Sequence, residues 1–213
     1  MIHAVIFDFD GVVIESEVYF VDAEIEIFAR HGIFLTEDVI TQYLGFKLDE
    51  YISALEQRFN KSINHAKLSS ELHQEIKRLY GEKVPADEHV ANLLQDLQKN
   101  YKIGLATSRE RHLAGVAMDR LKLAHYFKRG VYREDVTKGK PHPEVYLKAA
   151  ALLGLDPSSC AVIEDAKSGF ESAKAAGMTV IARKAEHNKS QDFSLADFVI
   201  TDMREIPRIL KKL

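Results

Sequence analysis

Five short, almost unbroken apolar runs, at residues 3–7, 103–106, 160–163, 179–182 and 198–200, set the strongest limit on how this chain can fold. A strand with one wet face alternates polar and apolar residues. A run that is apolar throughout is covered on both faces, as in a parallel sheet flanked by helices. Between the runs lie segments of helical periodicity: 90–98, with Leu93, Leu94 and Leu97; 111–123; 144–153, after Pro143; and 169–176, stopped by Gly177 where a left-handed residue ends a helix. This alternation predicts an α/β fold, a Rossmann-like parallel sheet core with helices on both faces.

Residues 14–83 break the rhythm, carrying helical periodicity without a convincing strand. They predict an all-helical insertion with helices over 18–29, from the N-cap Thr36, over 49–59, and over 69–80 closed by Gly81. The core is then discontinuous, residues 1–13 and 84–213, and the inserted domain spans 14–83.

With 213 residues and 46% hydrophobic content, the chain can bury a substantial core. Its 29 basic and 32 acidic residues are dispersed and nearly balanced, which points away from nucleic acid and membrane surfaces and toward a small-molecule partner. A single cysteine, Cys160, excludes an internal disulfide framework, and it leads into an apolar run as a small buried hydrophobe does. No signal peptide or membrane-spanning run is legible, so a cytoplasmic protein is expected; separately, a monomer is expected.

The first apolar run ends in FDFDG, residues 7–11, with Asp8 and Asp10 one residue apart. In open α/β sheets ligands bind beyond the carboxyl ends of the strands, and Gly11 lets the chain turn sharply there. The period-2 rule puts both carboxylates on one side of an extended strand, an unfavourable pair unless a cation joins them. Magnesium suits such oxygen ligands. Alone, D-x-D-G also makes turns and calcium-type loops.

Three more stretches accompany it. GLATSR (104–109) ends a run in Thr107 and Ser108, hydroxyls suited to phosphate oxygens or to an ordinary helix N-cap. KGKPHPEVY (138–146) sets Lys140 before a helix, where a solvated lysine is the plain alternative. AVIEDAKSGFESAKAAG (161–177) ends a run in Glu164 and Asp165, which also suit the first turn of a helix. Their joint occurrence at apparent strand ends favours chemistry over four separate coincidences. The nine histidines do not cluster at metal-ligand spacing and receive no role.

With these motifs in this order, D-x-D-G at residues 8–11, the strand-ending Thr107, the lysine of K-P-x-P at Lys140, and a variant of E-D-[ST]-x-x-G at 164–169 with Ala166 at its third position, the chain resembles the haloacid dehalogenase-like superfamily over essentially its whole length. Within it, the chain is similar to the phosphatases and mutases of the β-phosphoglucomutase group. The resemblance implies that the insertion is a helical cap and that Asp8 is the nucleophile, forming an aspartyl phosphate. It implies that Asp10 is general acid and then general base. Mg2+ would be held by Asp8, Asp10 through its carbonyl, Glu164 and Asp165. Thr107, Ser108 and Lys140 would bind the phosphoryl group, aided by a nest of backbone N–H groups after Gly11.

The implied activity is magnesium-dependent hydrolysis of a small phosphorylated metabolite, a phosphosugar or relative; the alternative is a β-phosphoglucomutase-type phosphomutase. Candidates for recognising the leaving group are Glu15, Ser16, Tyr19, Phe20 and Lys47. β-Phosphoglucomutases usually carry a histidine near the start of the cap and an arginine in a G-x-x-R segment. Phe20 and Leu48 stand at those positions here, which favours hydrolysis.

Overall fold

Six strands form one sheet: β1 (Ala4–Phe7), β2 (Lys102–Ala106), β3 (Gly130–Val131), β4 (Cys160–Glu164), β5 (Thr179–Arg183) and β6 (Phe198–Ile200). In this computed structural model, which describes residues 1–43 and 48–213, they lie in the order β3-β2-β1-β4-β5-β6. Every neighbouring pair is parallel. All four residues of β1 and all five of β4 are buried, as expected for strands covered on both faces. The apolar runs identify five of the six strands; β3 is only two residues long and leaves no readable pattern.

The chain divides into two compact units, Met1–Glu15 with Pro85–Leu213, and Ser16–Val84. Ile14 and Glu15, assigned to the insertion by sequence, belong to the α/β unit because Ile14 bridges to both Asp10 and Ala86. The Glu15 amide also donates to the Pro85 carbonyl.

The helical unit holds α1 (Glu17–Arg30), α2 (Glu37–Thr41), α3 (Leu48–Phe59) and α4 (His65–Glu82). Its core gathers Ile27, Phe28, Ile52, Leu55, Leu68 and Leu72 among others, from the inward stripes of α1, α3 and α4, together with Ile33 and Leu35 of the connection between α1 and α2. Helix α4 begins earlier than its apolar pattern because Asn64 caps it, accepting from the Lys67 amide. Gly81 does not close it; the helix runs on to Glu82 and ends where the Lys83 and Val84 amides both reach the Leu79 carbonyl.

The α/β unit holds α5 (Val90–Leu97), α6 (Arg111–Arg120), α7 (Glu144–Leu153), α8 (Lys167–Ala175) and α9 (Ile206–Leu210). Val145, Tyr146, Ala149, Ala150 and Leu153 of α7 and Phe170 and Ala173 of α8 pack with Ala4, Ile6, Ala106, Val162 and Val180 in one apolar cluster. Small residues let these helices lie close to the strands. Cys160 sits in the same cluster, and burial with the nearby Asp156 charge pushes its thiol up to about 11, as befits an inert core cysteine. Among the described residues no helix is long and apolar enough to cross a membrane.

Candidate functional site

The carboxyl ends of β1, β2 and β4 deliver the sequence-predicted residues to one edge of the sheet. Strand β1 ends at Phe7, and the Asp8 amide still donates to the Ile163 carbonyl of β4 at 2.9 Å, holding Asp8 beside the end of that strand. Lys140 comes from the loop between β3 and α7. Two contacts fix that loop: the Glu144 carboxylate accepts from the Thr137 and Lys138 amides, and the Ser172 hydroxyl of α8 donates to the His142 carbonyl at 2.8 Å. Hydrogen bonds from Lys148 and those two amides lower Glu144 to about 2.

Lys140 thereby joins two carboxylates. Its Nζ lies 2.6 Å from Asp8 Oδ1 and 2.6 Å from Glu164 Oε2, with side-chain exposures of 7, 9 and 1% for the three residues. Burial alone works against the ammonium, yet Asp8 and Glu164 hold Lys140 well above its ordinary value, so it stays charged. Burial, then the Glu164 charge, pushes Asp8 well above the carboxylate range, with Lys140 opposing. The same two causes, in the same order, raise Asp165.

Asp8, Glu164 and Asp165 offer oxygen atoms that all lie within 4.8 Å of one another. At that separation two unit charges repel by roughly 3 kcal/mol at an effective dielectric of about 20. One lysine does not balance three buried carboxylates. The donor set, hard oxygens with excess negative charge, fits a divalent cation such as magnesium. Glu164 is also engaged by protein groups: Oε2 accepts from Lys140 and the Tyr146 hydroxyl, and Oε1 from the amides of Asp165 and Ala166.

Asp10 differs from the sequence expectation. The strand stops before it, so the period-2 rule does not hold, and its carboxylate turns to Arg109, whose Nε donates to Oδ2 at 3.0 Å. Its side chain is outside the carboxylate cluster found among the described residues. The expected nest after Gly11 is not formed by Val12, Val13 and Ile14 either. Gly11 has φ +71°, which folds the chain back so that those three amides converge on the Phe9 carbonyl.

Thr107 is 1% exposed and is not a helix cap, since Glu110 occupies the N-cap of α6; its Oγ1 accepts from the Arg109 amide at 3.0 Å. Ser108 is exposed. Ala166 holds the N-cap position of α8 without a side-chain cap. Glu15 pairs with Arg183 at 2.7 Å, and Lys47 lies outside the described residues.

Sequence reasoning missed Tyr146, Arg109, Arg183, His187 and Asn188. Arg183, at the end of β5, donates to the Gly11 carbonyl at 2.6 Å and to Asp87 at 2.8 Å. His187 Nε2 lies 2.8 Å from Asp165 Oδ2, although no histidine was assigned a role. Arg109 and Tyr146 close the GLATSR and KGKPHPEVY stretches but were given no role there, and Arg183, His187 and Asn188 belong to no motif.

Comparison with known proteins adds a second line of information. A family model described as haloacid dehalogenase-like hydrolase matches residues 5–183. YhcW of Bacillus subtilis (strain 168), provisionally named a phosphatase, is 37% identical over 85% of this chain and 83% of its own. The phosphorylated carbohydrates phosphatase of Thermotoga maritima is 33% identical over 82% of each chain. A crystal structure from Thermotoga maritima, provisionally titled a β-phosphoglucomutase, is 29% identical, covers all of both chains and superposes with a TM-score of 0.80.

Proposed function

The chain belongs to the haloacid dehalogenase-like hydrolases, and from that premise we propose that it is a magnesium-dependent phosphatase that hydrolyses a small phosphomonoester, a phosphosugar or related metabolite, through an aspartyl phosphate. The observation that carries this reading is the buried Lys140 ammonium held 2.6 Å from both Asp8 and Glu164 inside a three-carboxylate cluster. A phosphoryl transition state spreads charge over its equatorial oxygens, so its catalyst is mainly an arrangement of compensating charge.

Asp8 attacks phosphorus, and the bond to the leaving oxygen breaks as the new O–P bond forms. Asp10 gives a proton to that oxygen. In the second half Asp10 takes a proton from water, the water oxygen attacks the aspartyl phosphate, and phosphate leaves with Asp8 restored. Arg109 orients the Asp10 carboxylate for both transfers. Lys140 and Thr107 bind the phosphoryl oxygens, with Ser108 at the exposed rim. Asp8, Asp165 and the Asp10 carbonyl, with Glu164 beside them, are the groups to hold magnesium, which when bound supplies the positive charge that lets a carboxylate approach a phosphate dianion.

Hydrolysis is favoured over mutase chemistry because Phe20 and Leu48 stand where mutases of this group usually carry histidine and arginine. The test is phosphate release across a panel of phosphosugars and small phosphomonoesters, with and without magnesium. Release by the wild type in magnesium alone, and its loss in Asp8→Asn, is the expected result. Isomerisation of a hexose 1-phosphate on adding a sugar bisphosphate, without net phosphate release, would overturn it.

A further inference from the structure

We propose that His187 is a positioning residue for the metal site, holding Asp165 in the orientation that binds the cation; this rests on the magnesium-dependent reading above. The side chain comes from the polar stretch after β5, where the chain makes a single turn of 3-10 helix over Glu186–Asn188. That turn is fastened to the residue that His187 serves. Asn188, 1% exposed, donates from Nδ2 to the Asp165 and Arg183 carbonyls at 2.9 Å each, and its Oδ1 accepts from the Ala185 amide at 2.8 Å. With the turn locked, the neighbouring imidazole is aimed at Asp165 Oδ2, 2.8 Å away.

With a cation bound, Asp165 is an ionised carboxylate, which only accepts hydrogen bonds, so Nε2 then carries the hydrogen in this contact. Gly11 also closes on the same oxygen: a Cβ there would sit 2.0 Å from Asp165 Oδ2. Oδ2 is therefore approached by both the Gly11 backbone and the His187 ring. Both contacts restrain the Asp165 carboxylate beside Asp8 and Glu164. Groups that orient a metal ligand in this way typically govern affinity by about 10–100-fold.

The test compares His187→Leu, which keeps bulk and loses the donor, with His187→Gln, which keeps an N–H at similar reach. Mn2+ serves as the paramagnetic probe, titrated into substrate-free protein and read as free ion by electron spin resonance. The dissociation constant is expected to rise about 10–100-fold in His187→Leu and to return close to wild type in His187→Gln, with unchanged melting in the absence of metal. Wild-type affinity in His187→Leu, or equal losses in both variants, overturns the positioning role while leaving the phosphatase reading standing. Absence of Mn2+ binding by the wild type refutes the metal site and this inference together.

Discussion

Gly169→Ala separates helix stability from site geometry. Gly169 lies in the first turn of α8, where alanine would ordinarily favour the helix by about 1 kcal/mol. The added methyl, however, would stand 2.0 Å from Glu164 Cδ and 2.2 Å from Oε2, whereas carbon atoms in contact prefer about 3.5–4.0 Å. Glu164 would have to retreat by well over an ångström, away from Lys140 and Tyr146. Overpacking of that kind, with a buried ion pair disturbed, costs about 3 kcal/mol, so the net loss is about 2 kcal/mol despite the better helix former. Because Lys140 is held by Glu164 as well as Asp8, its displacement should lower kcat/KM on a phosphomonoester by about 100-fold, the usual penalty for a misplacement of this size. Urea unfolding and steady-state phosphate release measure the two effects. A variant as stable and as active as the wild type would refute the idea that Glu164 is packed in place by the absence of a side chain at 169.

Asp8→Asn should change how metal-free stability depends on pH. Because folding raises the Asp8 pKa, its contribution is fully present below the unfolded value and is lost as pH rises through the folded one. In chelator, the variant should therefore match the wild type near pH 4 and melt higher than it at pH 7; a difference of the opposite sign contradicts the burial argument. Asp10→Asn should depress hydrolysis of alkyl phosphates about 100-fold or more and that of p-nitrophenyl phosphate much less, since a nitrophenolate leaves without a proton; equal losses in the first half-reaction, followed by a burst assay, would deny Asp10 its acid role. Arg109→Ala should act in the same direction with a smaller effect, whereas Arg109→Lys should recover part of it, since the group that orients Asp10 is a cation donating one hydrogen bond.

Much of this fold can be read from unbroken apolar runs, because a strand buried on both faces has no polar side to interrupt it. Helix α7 agrees with its apolar pattern from Glu144 to Leu153, bounded by Pro143 and by Gly154 in the left-handed region. Short or capped elements are harder: β3 has two residues, and α4 starts at an asparagine cap and passes through Gly81 because tertiary packing outweighs a single glycine. At the site, Asp8, Lys140, Glu164 and Asp165 were visible as motifs and are close together in space. Arg109, Tyr146, His187 and Asn188 act through contacts 18 to 99 residues apart in sequence, which no local pattern encodes. The direction in which Asp10 faces was missed for a simpler reason: β1 ends at Phe7, three residues sooner than the alternation rule assumes.

The most direct test of the central claim is to look for the covalent intermediate. Asp10→Asn, slowed in the water-dependent half-reaction, should be mixed with magnesium and a reactive phosphomonoester, quenched in acid and examined by peptide mass spectrometry. One phosphoryl group on the peptide carrying Asp8, absent without magnesium and absent when Asp8 is also replaced, is the expected result. Phosphate release with no such adduct, or an adduct on another residue, would contradict nucleophilic catalysis by Asp8.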